Sequence, residues 1–183
     1  MAEQQLNQGY IVERLQPQDV ESMTALYTRV WLESVGSEVY GMDPAERDAW
    51  VERYNSEAAL QAVREATVED IDTAEKVWFV AKDNDGQVIG MARPWRADEE
   101  GLQRVGAVYV DKDHQGEGIA DSLMDQIIAW SDAERPLYLW VAEENERAKR
   151  FYQKVGFAVV GDERKTVYGN IPHIKMSRKG DKQ

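Results

Sequence analysis

Along the chain the spacing of apolar positions switches between the strand period and the helix period. Residues 10–16, YIVERLQ, alternate as a half-buried strand does. From 17 to 34, Val20, Met23, Leu26, Tyr27, Val30 and Trp31 recur at helical spacing behind Pro17 and Asp19, two helix-start residues. Segments 43–54 and 56–70 predict two further helices. Strand spacing then returns in 76–83 and 87–97, on either side of the hairpin signal Asn84-Asp85-Gly86. A third strand, 101–110, follows the acidic turn Asp98-Glu99-Glu100-Gly101, so 76–110 predicts an antiparallel meander. Beyond it the pattern reads helix, strand, helix, strand. Ile119, Leu123, Met124, Ile127 and Ile128 share one face of a helix over 119–130. Residues 136–142, PLYLWVA, are almost wholly apolar, as in a strand covered on both faces. A helix over 145–156 has Asn145 as N-cap and Gly156 as its stop, and strands 157–163 and 171–178 close the chain. These elements predict an α/β fold, a mixed but mostly antiparallel sheet with helices on both faces. One domain is expected over residues 1–183, with flexible ends at 1–8 and 179–183.

Composition narrows the chemistry. The chain has no cysteine, which excludes disulfides, thiolate metal ligands and a cysteine nucleophile. Acyl chemistry must therefore use another nucleophile or pass directly between two bound substrates. A formal net charge of −12 argues against nucleic acid as a partner and is compatible with a cationic substrate, or simply with solubility. The start, MAEQQLNQGY, lacks a basic leader, and no apolar run approaches membrane-spanning length, so a cytoplasmic protein with no membrane partner is expected. His114 and His173, the two histidines, stand too far apart in sequence to read as a ligand pair, and no metal is expected.

The stretch YVDKDHQGEGIADSLM, 109–124, joins a strand to a helix through Gly116 and Gly118. Such a turn can bind an anion. The first N–H groups of a helix lack internal partners, and the helix dipole adds partial positive charge. No Lys-Ser or Lys-Thr follows the second glycine, which removes a Walker-type P-loop. The Gly-x-Gly-x-x-Gly spacing is also missing, which removes a dinucleotide fold. Taken alone, the turn reads equally well as an ordinary tight turn. Glu117, between the glycines, is an unusual residue for an anion cradle.

Two segments together carry a family resemblance. Gln115-Gly-Glu-Gly118-Ile-Ala120 fits the Gln/Arg-x-x-Gly-x-Gly/Ala signature of the GNAT N-acetyltransferase superfamily. NERAKRFYQKVGF, 145–157, resembles that family's Asn-x-x-Ala-x-x-Phe-Tyr-x-Lys-x-Gly-Phe segment. One helix and one strand separate the two, as in the family, and the resemblance spans roughly 76–178. Helices 17–70 fit it only loosely, in the part that varies with the acceptor.

The resemblance implies an acetyl-CoA-dependent N-acetyltransferase acting on a primary amine. Backbone amides of Gln115, Gly116, Glu117, Gly118, Ile119 and Ala120 would hold the pyrophosphate of acetyl-CoA, with the Glu117 side chain turned to solvent. Val108, Tyr109 and Val110 would pair with pantetheine as another strand does, and the Val110 N–H would polarise the thioester carbonyl. Asn145 would contact the cofactor arm. Tyr152, seven residues on and on the same helix face, would protonate the departing CoA thiolate. Transfer would be direct, in a ternary complex, in keeping with the missing cysteine. Some relatives place a glutamate base on the strand before the glycine turn, where this chain has Arg104. Glu99, Glu100, Glu143 and Glu144 are the substitutes at hand for the base. Tyr27, Trp31, Trp50 and Tyr168, or Trp95 with Arg93 and Arg96, are candidates for an acceptor pocket. The acceptor would be a small-molecule or peptidyl amine, cationic if the net charge is a guide, and a homodimer is usual in the family. Arg104 in the base position leaves a second reading open, an acyl-CoA-binding or sensing domain on the same scaffold without turnover.

Overall fold

The structure, a computed structural model, describes residues 9–35, 43–69, 71, 73–167 and 171–180. Seven strands form one sheet: β1 (Tyr10–Arg14), β2 (Phe79–Asp83), β3 (Val88–Trp95), β4 (Gln103–Val110), β5 (Leu137–Ala142), β6 (Ala158–Val167) and β7 (Ile171–Arg178). Their spatial order is β1-β2-β3-β4-β5-β7-β6. All neighbours are antiparallel except β4 and β5, which run parallel. The helices are α1 (Val20–Val35), α2 (Pro44–Tyr54), α3 (Glu57–Glu69), α4 (Ile119–Trp130) and α5 (Glu146–Lys154).

Each sheet face has its own core, set by the period of two along the strands. On one face Val105, Leu137, Leu139, Val141, Ile174 and Met176 pack with Ile119, Leu123, Met124 and Ile127 of α4, and α5 leans on the same cluster through Ala148, Phe151, Tyr152 and Val155. The four α4 side chains are at most 1% exposed, and each is worth about 1.5–3 kcal/mol as an upper bound for burial. On the other face Met23, Leu26 and Val30 of α1 meet Trp78, Val80, Val88 and Met91. Helices α2 and α3 pack on α1 rather than on the sheet.

Several boundaries differ from the sequence reading for physical reasons. Pro17–Asp19 form a 3-10 turn before the α-helix starts at Val20, and the Asp19 carboxylate accepts the Gln16 backbone N–H at 3.3 Å. The second strand enters its ladder at Phe79, although Val77 and Trp78 are already buried. β6 runs on to Val167 instead of ending at 163; its polar run carries no apolar alternation because β6 is an outer edge strand with exposed side chains. The second face of 136–142 is covered by a lysine: Lys175 Nζ lies 4.7 Å from the centroid of Tyr138 and 5.8 Å from that of Trp140.

One local irregularity positions the site. Opposite β3, Arg93 faces Ala107 while Pro94 faces Val105, so Gly106 is an extra residue bulged from β4. A Cβ on Gly106 would fall 1.6 Å from Cζ3 of Trp95, whose ring occupies that space. Pro94 contributes no N–H to the ladder at the same point. Just before the bulge, β4 stops pairing with β5: the parallel ladder holds only Gln103–Val105 against Leu137–Leu139. From Gly106 onward the two strands separate.

Candidate active site

The separation opens a cleft of about 700 Å³, walled by the second half of β4, the end of β5, the glycine turn and α5. Backbone polarity follows from the register. Asp111 N–H donates to the Ile89 carbonyl at 2.9 Å, so by alternation Ala107 and Tyr109 spend their backbone groups on β3. Val108 and Val110 turn theirs toward the gap left by β5. The Gln115 carboxamide partly fills this need, its Nε2 donating to the Val110 carbonyl at 3.4 Å. Of the three residues read as a cofactor strand, then, Val108 and Val110 offer main-chain groups. Tyr109 also lines the cleft, but its main-chain groups are committed to β3, and its ring rests 5.8 Å from that of Tyr27.

At the end of β4 the chain makes a 3-10 turn, Lys112–His114, and enters α4 through the glycines. Gly116 has φ 93° and Gly118 φ 84°, in the left-handed region where a side chain is strained. Gly118 is the N-cap of α4, and its carbonyl accepts the first helical bond, from Ser122 N–H at 3.0 Å. The N–H groups of Ile119, Ala120 and Asp121 therefore have no acceptor within the helix. Gln115, Gly116, Gly118, Ile119 and Ala120 line the cleft. Glu117 turns away: its Oε2 lies 3.2 Å from His114 Nδ1.

On the opposite wall Asn145 caps α5, its Oδ1 accepting the Ala148 N–H at 3.0 Å. The same residue and Tyr152, two turns along, both line the cleft. Tyr152 is half-buried, with its ring 5.3 Å from Phe151 and 5.9 Å from Phe157. Arg147 and Lys154 bring positive charge to this wall, Lys154 in an ion pair with Asp121 at 2.8 Å. The chain is acidic overall, yet its cleft is lined with cations, as a polyanionic ligand requires.

The base candidates read from sequence lie elsewhere. Glu143 is held in a two-pronged pair with Arg164, at 3.0 and 3.2 Å. Glu99 and Glu100 sit in the exposed turn organised by Asp98, which accepts N–H bonds from Glu100 and Leu102 at 3.0 and 2.9 Å. What the sequence reading passed over is His173, separated from the glycine turn by more than fifty residues but carried by β7 to a place opposite Ala142, where it lines the cleft. It is 6% exposed, and this burial pushes its pKa below the usual histidine value. The hydrogen bond to the Ile171 carbonyl, 3.0 Å from Nδ1, opposes that shift, while the charge of Lys165 adds to it. In the neutral ring that bond makes Nδ1 the protonated nitrogen and Nε2 the basic one. His114 and His173, remote in sequence, thus line one cleft.

Trp31 packs against Tyr54 at 4.8 Å and is buried, so it is a core residue. The side chain of Trp50 and all of Tyr168 lie outside the described residues. Trp95 stands between two arginines, its ring 4.7 Å from the Arg93 guanidinium and 4.4 Å from that of Arg104. Arg96 instead binds the Trp130 carbonyl at 2.8 Å. Among the described residues no helix is long and apolar enough to cross a membrane.

Known proteins share this fold. Two structures solved with coenzyme A superpose on nearly the whole chain. A PaiA N-acetyltransferase from Thermoplasma acidophilum in complex with coenzyme A gives a TM-score of 0.64 at 16% identity, over 93% of this chain and 98% of that one. A spermidine N-acetyltransferase from Vibrio cholerae in complex with CoA and spermine gives 0.66 at 19% identity, over 96% and 98%. At these identities the likeness establishes the fold. Among curated proteins, an uncharacterized N-acetyltransferase of Mycobacterium tuberculosis is 32% identical over 43% of this chain and 51% of its own length. A mycothiol acetyltransferase of Propionibacterium freudenreichii is 35% identical over 45% of this chain and 30% of its own. The matches thus span about half or less of these relatives. The family model for the acetyltransferase (GNAT) family matches residues 39–157, well over half of the sequence, and the chain belongs to that family.

Proposed function

We propose that the protein is an N-acetyltransferase that uses acetyl-CoA and transfers the acetyl group directly to a primary amine. The observation that carries this reading is the convergence on one cleft of three elements: the gap-facing backbone of Val108 and Val110, the acceptor-less N–H groups at the start of α4, and Tyr152. The residues fit the cofactor. The turn is built of glycines with nothing within 4 Å of a Cβ at Gly116, so a phosphate can reach the backbone closely. Ile119, Ala120 and Asp121 would hold the pyrophosphate by their N–H groups, with Arg147 adding charge. Val108 and Val110 would bond the pantetheine amides, and Asn145 would contact the arm. Acetyl-CoA supplies an activated acyl group and a thiolate leaving group.

The protein's own residues then manage protons and position. His173, neutral at pH 7 because it is buried, takes the proton of the incoming ammonium at Nε2 and so frees the nitrogen lone pair. The new C–N bond forms at the thioester carbon as the C–S bond breaks, and the electron pair leaves on sulfur. Tyr152 gives its phenolic proton to that sulfur, the acylated nitrogen sheds its remaining surplus proton through water to the phenolate and so restores the phenol, and His173 releases the first proton to solvent. The Val110 N–H is the group that polarises the carbonyl.

Calorimetric binding of CoA, with thiol release from acetyl-CoA over a panel of primary amines, tests this reading. Tyr152→Phe is expected to bind CoA as the wild type does and to lose about a hundredfold in kcat, the scale of one general acid. Tight CoA binding with no thiol release from any amine would favour the sensing reading. Equal turnover by Tyr152→Phe would remove the general acid.

A further inference from the structure

The acceptor end of the cleft has a chemical character that the net charge conceals. Cross-strand pairs share a sheet face. Trp95 pairs with Arg104 and Arg104 with Tyr138; Trp140 pairs with Lys175; Ala142 pairs with His173, and His173 with Lys165. Tyr138, Trp140 and Ala142 alternate along one strand, so all of these side chains lie on the face opposite α4. Arg104, Trp140, Lys165 and His173 line the cleft there. The face is therefore a bed of rings set with cations.

The Arg104 guanidinium stacks on Trp95 at 4.4 Å. The acids nearby are engaged. Asp98 accepts the Tyr138 hydroxyl and two backbone N–H groups. Burial alone would raise its pKa, but these bonds and the nearby Arg104 charge hold the carboxyl below its usual value. Glu163 lies 3.6 Å from Lys175, and Glu143 is paired with Arg164. The carboxylate lining the cleft, Asp121, belongs to the cofactor end and is paired with Lys154. Among the described residues Arg104 and Lys165 have no carboxylate within 4 Å. A site for a polyamine needs carboxylates facing the ligand; the described residues that line this end present cations.

Building on the N-acetyltransferase reading above, we propose that the acceptor is an amine that also carries a carboxylate, bound through Arg104 and Lys165 with its nitrogen directed to His173. Some members of the family place a glutamate base where this chain has Arg104; in the proposed reading that exchange puts a cation at the acceptor end and leaves the base to His173, on another strand. The outer field of a −12 chain does not decide this, because opposite charges at contact distance outweigh a field screened over about 8 Å.

The test follows acetyl-CoA consumption over free L-amino acids, glycyl dipeptides, the carboxamide of each, and spermidine. At least one carboxylate is expected to exceed its own carboxamide in kcat/KM by about tenfold or more, the scale of one charge-assisted contact, and to exceed spermidine. Arg104→Gln should bring that ratio toward one through KM for the carboxylate, and Arg104→Lys should restore part of it. Lys165→Gln, at an exposed position where folding is not at stake, should lower the ratio in the same direction. Spermidine or the carboxamides reacting as well as every carboxylate would overturn the proposal and leave the acetyltransferase standing. So would an unchanged ratio in both Arg104→Gln and Lys165→Gln. No reaction with any member, with CoA still bound in calorimetry, would overturn both the transfer and the carboxylate subsite; failure to bind CoA would overturn the cofactor assignment as well.

Discussion

Asn145 is assigned two separable tasks, and substitution can pull them apart. Its Oδ1 accepts the Ala148 N–H at 3.0 Å and so caps α5; its carboxamide also lines the cleft, where the cofactor arm is expected. Asn145→Ala removes the cap, at a cost of about 1 kcal/mol. For a chain of this size that lowers Tm by roughly 2–4 °C. Asn145→Asp keeps an oxygen at the same place and adds a negative charge at a helix N-terminus, worth about 0.3–1 kcal/mol in favour of folding. Its stability should equal or exceed that of the wild type. Toward CoA the order changes. Aspartate loses the N–H donor and sets a carboxylate against an anionic ligand, so Kd should rise about tenfold or more, as for loss of a charge-assisted hydrogen bond. Alanine, uncharged, should bind CoA better than aspartate does. Thermal and urea unfolding give the first ordering, and calorimetric titration with CoA gives the second. If Asn145→Asp binds CoA as the wild type does, Asn145 has no part in the cofactor site. If Asn145→Ala unfolds at the wild-type temperature, the cap contributes nothing.

Two further outcomes follow from the structure. His173 has a pKa below the ordinary 6.5, so the unfolded chain binds more protons than the folded one just below that value. Stability should therefore fall as the pH drops from 6.5 toward the folded pKa, whereas acetyl transfer should fall at lower pH, as the ring of the folded protein is protonated through its own lowered pKa. In His173→Gln both acid limbs should flatten, leaving a rate that rises instead through the acceptor's own amine pKa, near ~10 for a lysine-like amine; a rate profile identical to wild type would remove His173 as the base. Gly106→Ala puts a Cβ 1.6 Å from Cζ3 of Trp95 and displaces that ring from between Arg93 and Arg104. Overpacking of this kind costs about 1–3 kcal/mol, and the near-ultraviolet circular dichroism of Trp95 should change while KM for acetyl-CoA rises. An unchanged KM would show that the bulge does not shape the cofactor groove.

Local signals set the elements and half of the site. Helix α5 is legible because its start, stop and apolar face are all written within twelve residues: Asn145, Gly156 and the spacing of Ala148, Phe151 and Tyr152. The glycine turn is legible for the same reason, since Gly116 and Gly118 are needed by backbone angles that adjoining residues impose. β6 is legible only as far as 163, because an exposed edge strand needs no apolar alternation. The remainder depends on which strands become neighbours, and no local pattern encodes that. The spatial order places β7 between β5 and β6 and so carries His173 and Lys165 into a cleft opened by β4. The gap opens at Gly106, ordinary in sequence, where a bulge against Pro94 and a tryptophan over the missing Cβ adjoin the end of the β4–β5 ladder at Val105. Sequence alone thus determined the periodicities, the capped helices and the glycine turn, because each rests on contacts between near neighbours. Tertiary structure decided which charges meet at the cleft, gathering Arg104, Lys165 and His173 from three strands of an acidic chain onto one wall, because charge acts through distance in space and not along the chain.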